Sequence, residues 1–155
     1  MVVSFKENQK VDSIWPLSIL ALVLVGNWWL YFKMGYQDIS FFFITLATIS
    51  LLCLFLLVLR LQTVIDDEGI HYKMFPFHFK WQTIAWHDIQ NLEIRTYRPL
   101  KEFGGWGLRF GQSGKAYTIS GKTGLQLQLK NGRKVLFGTQ KADVMKSYLQ
   151  EMGKL

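Results

Sequence analysis

IWPLSILALVLVGNWWLYFKMGYQDISFFFITLATISLLCLFLLVL, residues 14–59, is the stretch whose reading decides the fold. It holds two uncharged apolar runs, Ile14–Phe32 with 19 residues and Ile39–Leu59 with 21, separated by the turn Lys33-Met34-Gly35-Tyr36-Gln37-Asp38. A bilayer hydrocarbon core of about 30 Å takes roughly 20 helical residues at ~1.5 Å each. A water-facing helix does not stay apolar on every side for this length. Trp15 lies at one end of the first run, and Trp28, Trp29, Tyr31 and Phe32 lie at the other, with Tyr36 and Phe41–Phe43 just beyond the turn. Aromatic side chains of this kind collect at membrane interfaces. Asp12-Ser13 ahead of Pro16 reads as a helix start. The stretch therefore predicts a transmembrane helical hairpin, with helices over 14–32 and 39–59, behind an N-terminal tail 1–13. A cleaved signal peptide is disfavoured, because the first run exceeds the ~7–15 residues of such a segment and no small-x-small site follows. Asn27, the one strongly polar side chain inside the runs, is expected to reach headgroups at the aromatic end rather than to bond across the pair.

Charge is unevenly placed. Before Arg60, Lys6, Lys10 and Lys33 balance Glu7, Asp12 and Asp38, while 15 Lys and Arg against 8 Asp and Glu follow from Arg60 onward, so the net +7 belongs to residues 60–155. That length is one small domain. The ends of the hairpin, with Lys6, Lys10 and Arg60, are more basic than its turn, so the positive-inside tendency places both termini and the domain in the cytoplasm. Cys53 is the single cysteine and lies inside the second run, so no intrachain disulfide exists.

From Arg60 the period changes to that of strands. Leu61–Ile65, Ile70–Phe77, Lys80–Trp86, Leu92–Arg98, Trp106–Phe110, Lys115–Ser120, Leu125–Lys130 and Arg133–Gly138 alternate or run apolar between Gly-rich turns. Leu125, Leu127 and Leu129 share one face, opposite Gln126, Gln128 and Lys130, as in a half-buried antiparallel strand. Asn131-Gly132 predicts a tight type I′ hairpin turn. After Thr139, a plausible N-cap, Met145, Tyr148, Leu149 and Met152 fall on one helical face, so a C-terminal helix is expected over 140–152. About seven antiparallel strands in a partly open barrel or sandwich, capped by that helix, is the expected domain.

Asp67-Glu68-Gly69-Ile70 opening a hairpin, Ile84-Ala85-Trp86-His87-Asp88-Ile89, Gly104-Gly105-Trp106-Gly107-Leu108-Arg109 and the Thr139-led helix share a layout. Over about 61–152 this layout resembles the bacterial pleckstrin-homology-like modules that follow a pair of transmembrane helices. The resemblance implies a mainly-β, PH-like fold at the cytoplasmic face of a bacterial membrane. The basic phosphoinositide motif of some eukaryotic relatives has no counterpart here, since the first hairpin carries only Lys73 and Lys80.

Catalytic and cofactor motifs do not assemble. Gly121-Lys122-Thr123 lacks the earlier P-loop glycine, which is Ala116, and Gly105-Trp106-Gly107 meets Phe110 where a dinucleotide fingerprint needs glycine. His71, His78 and His87 are scattered, with no cysteine beside them, and predict no metal site. His87-Asp88 reads as two strand neighbours facing apart, and Asp66-Asp67-Glu68 as a solvated turn. No catalytic residue, cofactor or metal is expected, and the chain reads as a non-enzyme. The densest basic patch is Arg95, Arg98, Lys101 and Arg109, interleaved with Tyr97 and Trp106. A membrane anchor makes nucleic acid a poor partner for it, and each Lys or Arg near an anionic leaflet gains about 1 kcal/mol. Two functions follow as expectations, with a small membrane-bound enzyme as the remaining alternative. The first is a membrane-anchored, non-catalytic interaction module binding a protein partner. The second is a domain whose basic face contacts anionic lipid headgroups.

Overall fold

The computed structural model describes residues 4–11, 14–34, 39–111 and 113–155, without the side chains of Trp15, Pro16, Met34, Ile39 and Phe41. The expected helix start at Asp12-Ser13 and the turn centred on 35–38, with Tyr36, lie outside the described residues, as do the side chains of Trp15 and Phe41. The chain divides into two compact units: Val11–Leu59, and Met1–Lys10 together with Arg60–Leu155.

The first unit is two helices, α1 (Ile14–Met34) and α2 (Ile39–Val58). Many of their large side chains are open, among them Leu22 at 74%, Val25 at 69%, Ile44 at 64% and Leu51 at 68%. Asn27 does not simply point away from its partner helix. Its amide donates to the Val23 carbonyl at 3.2 Å, and its oxygen accepts from the Thr45 hydroxyl of α2 at 3.0 Å. A polar pair between apolar helices gives each group a hydrogen-bond partner across the helix contact.

The transmembrane expectation is corrected here. Among the described residues no helix is long and apolar enough to cross a membrane. The transmembrane hairpin is withdrawn on that finding. With it go the integral bilayer partner, the multi-pass cytoplasmic-membrane localisation and both membrane-anchored functions, including the anionic-headgroup one.

Among the described residues the second unit has nine strands: β1 (Phe5–Lys10), β2 (Arg60–Ile65), β3 (Gly69–Phe75), β4 (Gln82–Ala85), β5 (Ile89–Thr96), β6 (Gly107–Gly111), β7 (Gly114–Thr118), β8 (Thr123–Leu129) and β9 (Lys134–Gly138). Two helices, α3 (Pro99–Phe103) and α4 (Ala142–Glu151), complete it. The strands form two sheets, ordered β1-β2-β3-β4 and β5-β8-β9-β7-β6. Neither sheet closes, β7 runs parallel to β9, and the described residues hold nine strands. The expected barrel of about seven antiparallel strands is therefore replaced by a pair of open sheets. A parallel β7–β9 ladder inside a non-sequential order also departs from the pleckstrin-homology-like layout.

Residues 5–10, expected as tail, form an edge strand paired residue for residue with β2, from Phe5↔Ile65 to Lys10↔Arg60. β1 alternates with Phe5, Glu7 and Gln9 buried and Lys6, Asn8 and Lys10 exposed. Two of its three inward positions are polar, so hydropathy conceals the strand. The buried groups bond instead: Gln9 Nε2 donates to the Gly138 carbonyl at 2.6 Å, and the Glu7 carboxylate accepts from the Thr139 hydroxyl at 2.7 Å and the Gln140 amide at 2.8 Å. Thr139 is thus not the N-cap of α4. That place is Lys141, whose N–H donates to the Thr139 hydroxyl at 3.0 Å.

The core lies on the inward faces of both sheets. Leu61, Ile65, Ile70 and Met74 come from one, Leu125, Leu127 and Phe137 from the other, and α4 adds Met145 and Leu149, all fully buried, while Leu136 is buried on the opposite face of β9 with Tyr97, Phe103 and Ala116. The Asn131-Gly132 turn is wider than the expected type I′. Gly132 alone takes positive φ, at 80°, while the Leu129 amide donates to the Arg133 carbonyl at 2.8 Å and closes a three-residue loop. Asn131 instead uses its side chain, accepting from the Arg133 amide at 3.1 Å.

Candidate functional site

Because the sheets stay open, a cleft of about 740 Å³ remains between β3–β4 on one side and β6, β7 and β9 on the other. Tyr72 of β3, Phe110 of β6 and Tyr117 of β7 supply aromatic wall, and Lys115 and Arg133 supply two cations; Lys134 adjoins the cleft, but by strand alternation its side chain shares the opposite face of β9 with Leu136, beside Gln128 and Glu93. Strand periodicity sets this arrangement, since Lys115 and Tyr117 are two apart on β7 and share a face. Gly114 sits at φ 98°, and a Cβ there would meet the Lys134 carbonyl, so only glycine lets the β6–β7 turn come this close to β9.

The wall continues inward as a ring cluster. Tyr117 stacks on Phe137 at 5.3 Å between centroids, and Tyr72 stands 4.8 Å from each of them. The Tyr72 and Tyr117 hydroxyls are 3.4 Å apart. Burial, and then the hydrogen bond to Tyr117, hold the Tyr72 phenol protonated far above its ordinary range. Burial also raises Tyr117, partly offset by its bond to Tyr72. His78 lies beside both rings, at 5.9 Å and 5.6 Å, and burial followed by the Lys115 charge lowers its pKa, so its imidazole is neutral at pH 7. The Lys115 ammonium sits 4.9 Å above Tyr117 and 5.3 Å from Phe110, held by ring faces. None of the residues lining the cleft is acidic. Among the described residues the ion pairs are His71–Asp66, His87–Asp88 and Arg95–Glu102, so Lys115 and Arg133 keep their charge uncompensated at this range.

One hydrogen-bonded chain has the order of a hydrolytic triad. The Thr83 hydroxyl is 2.8 Å from His71 Nδ1, and His71 Nε2 is 3.0 Å from the Asp66 carboxylate. His71 and Thr83 are cross-strand partners, alternating with the buried pair Ile70 and Ile84. Their side chains therefore occupy the outer face of the sheet, turned from the cleft, and serve to fasten the β3–β4 hairpin. Asp66 is raised by burial, but the His71 bond and the amides of Glu68 and Gly69 outweigh this and leave it below the usual carboxylate range. His87 and Asp88 do not face apart as expected. A 3-10 turn over Trp86–Asp88 replaces the end of the strand there and brings His87 Nε2 within 3.3 Å of the carboxylate, on the open surface. Among the described residues no group of three or more His, Cys, Asp or Glu could hold a metal ion.

The six residues expected as a contact patch divide between two roles. Arg95 is spent internally, donating to Glu102 at 2.7 Å and to Gln126 at 3.0 Å and 3.2 Å. Tyr97 is 1% exposed, packed with Phe103, Ala116 and Leu136. Arg98 and Lys101 are exposed, Arg98 as N-cap of α3 with its amide bonded to Glu102 at 2.7 Å. Trp106 and Arg109 do meet, with Arg109 Nε donating to the Trp106 carbonyl at 3.0 Å while the indole N–H donates to the Gly121 carbonyl at 2.8 Å. The cleft residues were missed because its charges arrive from separate strands. The legible signals were Lys115-x-Tyr117 on one strand face and Arg133-Lys134 beside a turn.

No family model matches the chain, and no curated protein matches it. The resemblance to pleckstrin-homology-like modules is corrected accordingly, on the absence of any family match as well as on the sheet order.

Proposed function

We propose that the β unit is a non-catalytic interaction module that binds a protein partner at the cleft between its two sheets. The observation that carries this reading is the cleft itself: about 740 Å³, walled by aromatic rings and rimmed by Lys115 and Arg133, two cations without carboxylate partners. Binding cavities span roughly 300–1,000 Å³, and exposed aromatic and Arg side chains are what partner surfaces select. The lining supports binding over chemistry, because its phenols are held protonated and Thr83, a residue of its edge, has its hydroxyl already bonded to His71 on the outer face of the sheet. A photo-crosslinking residue in place of Phe110, with Lys146 of α4 as the exposed control site, tests it in the full chain. A discrete protein adduct from position 110 that is absent from position 146 is expected. Identical adduct patterns from both positions, or none from 110, refute the reading.

A further inference from the structure

We infer that the cleft takes an acidic, extended peptide segment, added as a strand along β4 with its carboxylates turned to Lys115 and Arg133; this rests on the interaction reading above. Two independent features point to that occupant. The first is charge: Lys115 and Arg133 converge with no acid among the described lining residues, and Lys115 is already fixed between Phe110 and Tyr117, so its ordering cost is met before binding. The second is the backbone. β4 ends its sheet, and among the described residues the adjoining backbone bonds besides its ladder to β3 run from the Trp86 amide to Glu68, so the outer edge of Gln82–Ala85 is free to pair. Four residues offer about 14 Å of edge, enough to register a short strand. Such a strand also imposes an alternation. Successive side chains point to opposite faces, so every second residue meets the cations or the rings while the others leave the cleft. A free phosphate ester is a poorer fit, because every lining residue belongs to a strand or a turn and no helix N-terminus opens onto the cleft.

The test is selection of random eight-residue peptides on the full chain, followed by fluorescence anisotropy with the enriched peptides. Enrichment of Asp or Glu at alternating positions is expected. Binding should weaken about tenfold for Arg133→Glu, whose position is exposed and whose fold is checked by circular dichroism. N-methylation of every second peptide amide, which removes strand pairing and keeps the charge, should abolish binding from one register and spare it from the other. Enriched peptides without acids, or acidic peptides indifferent to both the charge reversal and N-methylation, overturn the inference. Displacement of the peptide by millimolar inorganic phosphate at constant ionic strength also overturns it, by identifying an anion site. A position-110 crosslink that survives alongside a failed selection would retain the interaction module and remove only this occupant.

Discussion

Replacing Glu7 by alanine should release β1. The carboxylate is 5% exposed and holds two donors from the approach to α4, the Thr139 hydroxyl at 2.7 Å and the Gln140 amide at 2.8 Å. A hydrogen bond to a charged acceptor contributes about 1.5–3 kcal/mol. Two of them lost give a gross cost of about 3–6 kcal/mol, reduced because alanine no longer has a charge to desolvate. A net loss of about 3 kcal/mol corresponds to about a hundredfold change in an equilibrium. The loss falls on one edge strand and the first turn of one helix, so the readout is local. Hydrogen exchange followed by mass spectrometry should show amides of 5–10 and of the start of α4 exchanging about a hundredfold faster, with 125–129 in the central strand β8 little changed. Lys6→Ala, one residue away on the exposed face, is the control and should stay within about threefold of the parent. If Glu7→Ala stays within that same margin, or if Lys6→Ala matches it, the buried carboxylate does not fasten the strand and the argument fails.

Tyr97→Phe should raise stability by about 1 kcal/mol, since the Tyr97 hydroxyl is buried beside Thr118 without a hydrogen bond of ordinary geometry; a urea midpoint lower than the parent's would show that the hydroxyl is satisfied after all. Glu102 is held below its usual range chiefly by the Arg95 hydrogen bond, against a smaller opposing effect of burial. A carboxyl depressed in the folded state contributes stability above its unfolded pKa and loses it as pH falls through the folded value. Stability should therefore drop between about pH 5 and 3, and Glu102→Gln should make that acid limb shallower. It should not become flat, because Asp66 is depressed as well. Superimposable limbs for parent and variant, measured by urea midpoint against pH, would discard the Arg95–Glu102 contribution.

What the sequence discloses depends on whether burial and hydropathy agree. In β8 they do: Leu125, Leu127 and Leu129 point inward, and the strand is readable by eye. In β1 they disagree, since Glu7 and Gln9 take inward positions that only tertiary partners make tolerable. The short helix α3 was invisible for another reason. Pro99 begins it and Gly104, at φ 70°, ends it, but five residues give no periodicity to count. Within the apolar stretch, Asn27 found Thr45, a pairing that depends on the relative register of two helices and that no one-dimensional pattern contains. The cleft was the least legible part. Its cations come from β7 and the start of β9, whose parallel pairing places Lys115 opposite Val135, while its fourth wall belongs to a different sheet. Arg95 and Tyr97 misled in the opposite sense: they look like a surface patch in sequence, yet Glu102, Gln126 and the Phe103 cluster claim them.

The pairing of Lys10 with Arg60 also fixes an order of events. In chain terms β1 and β2 are the arms of one hairpin, and the 49 residues Val11–Leu59 are its loop. Closing a flexible loop of that length costs about 3 kcal/mol more than closing a two-residue turn, by the logarithmic growth of loop entropy. That cost disappears when the loop is already a helical pair whose ends lie close together. The helices thus act as a built-in clasp for the arriving chain. Strands β2 to β4, β6 to β7 and β8 to β9 meet across short connections and need no such help, so β1, paired along one edge and joined across the longest of these connections, is the first strand the fold can give up.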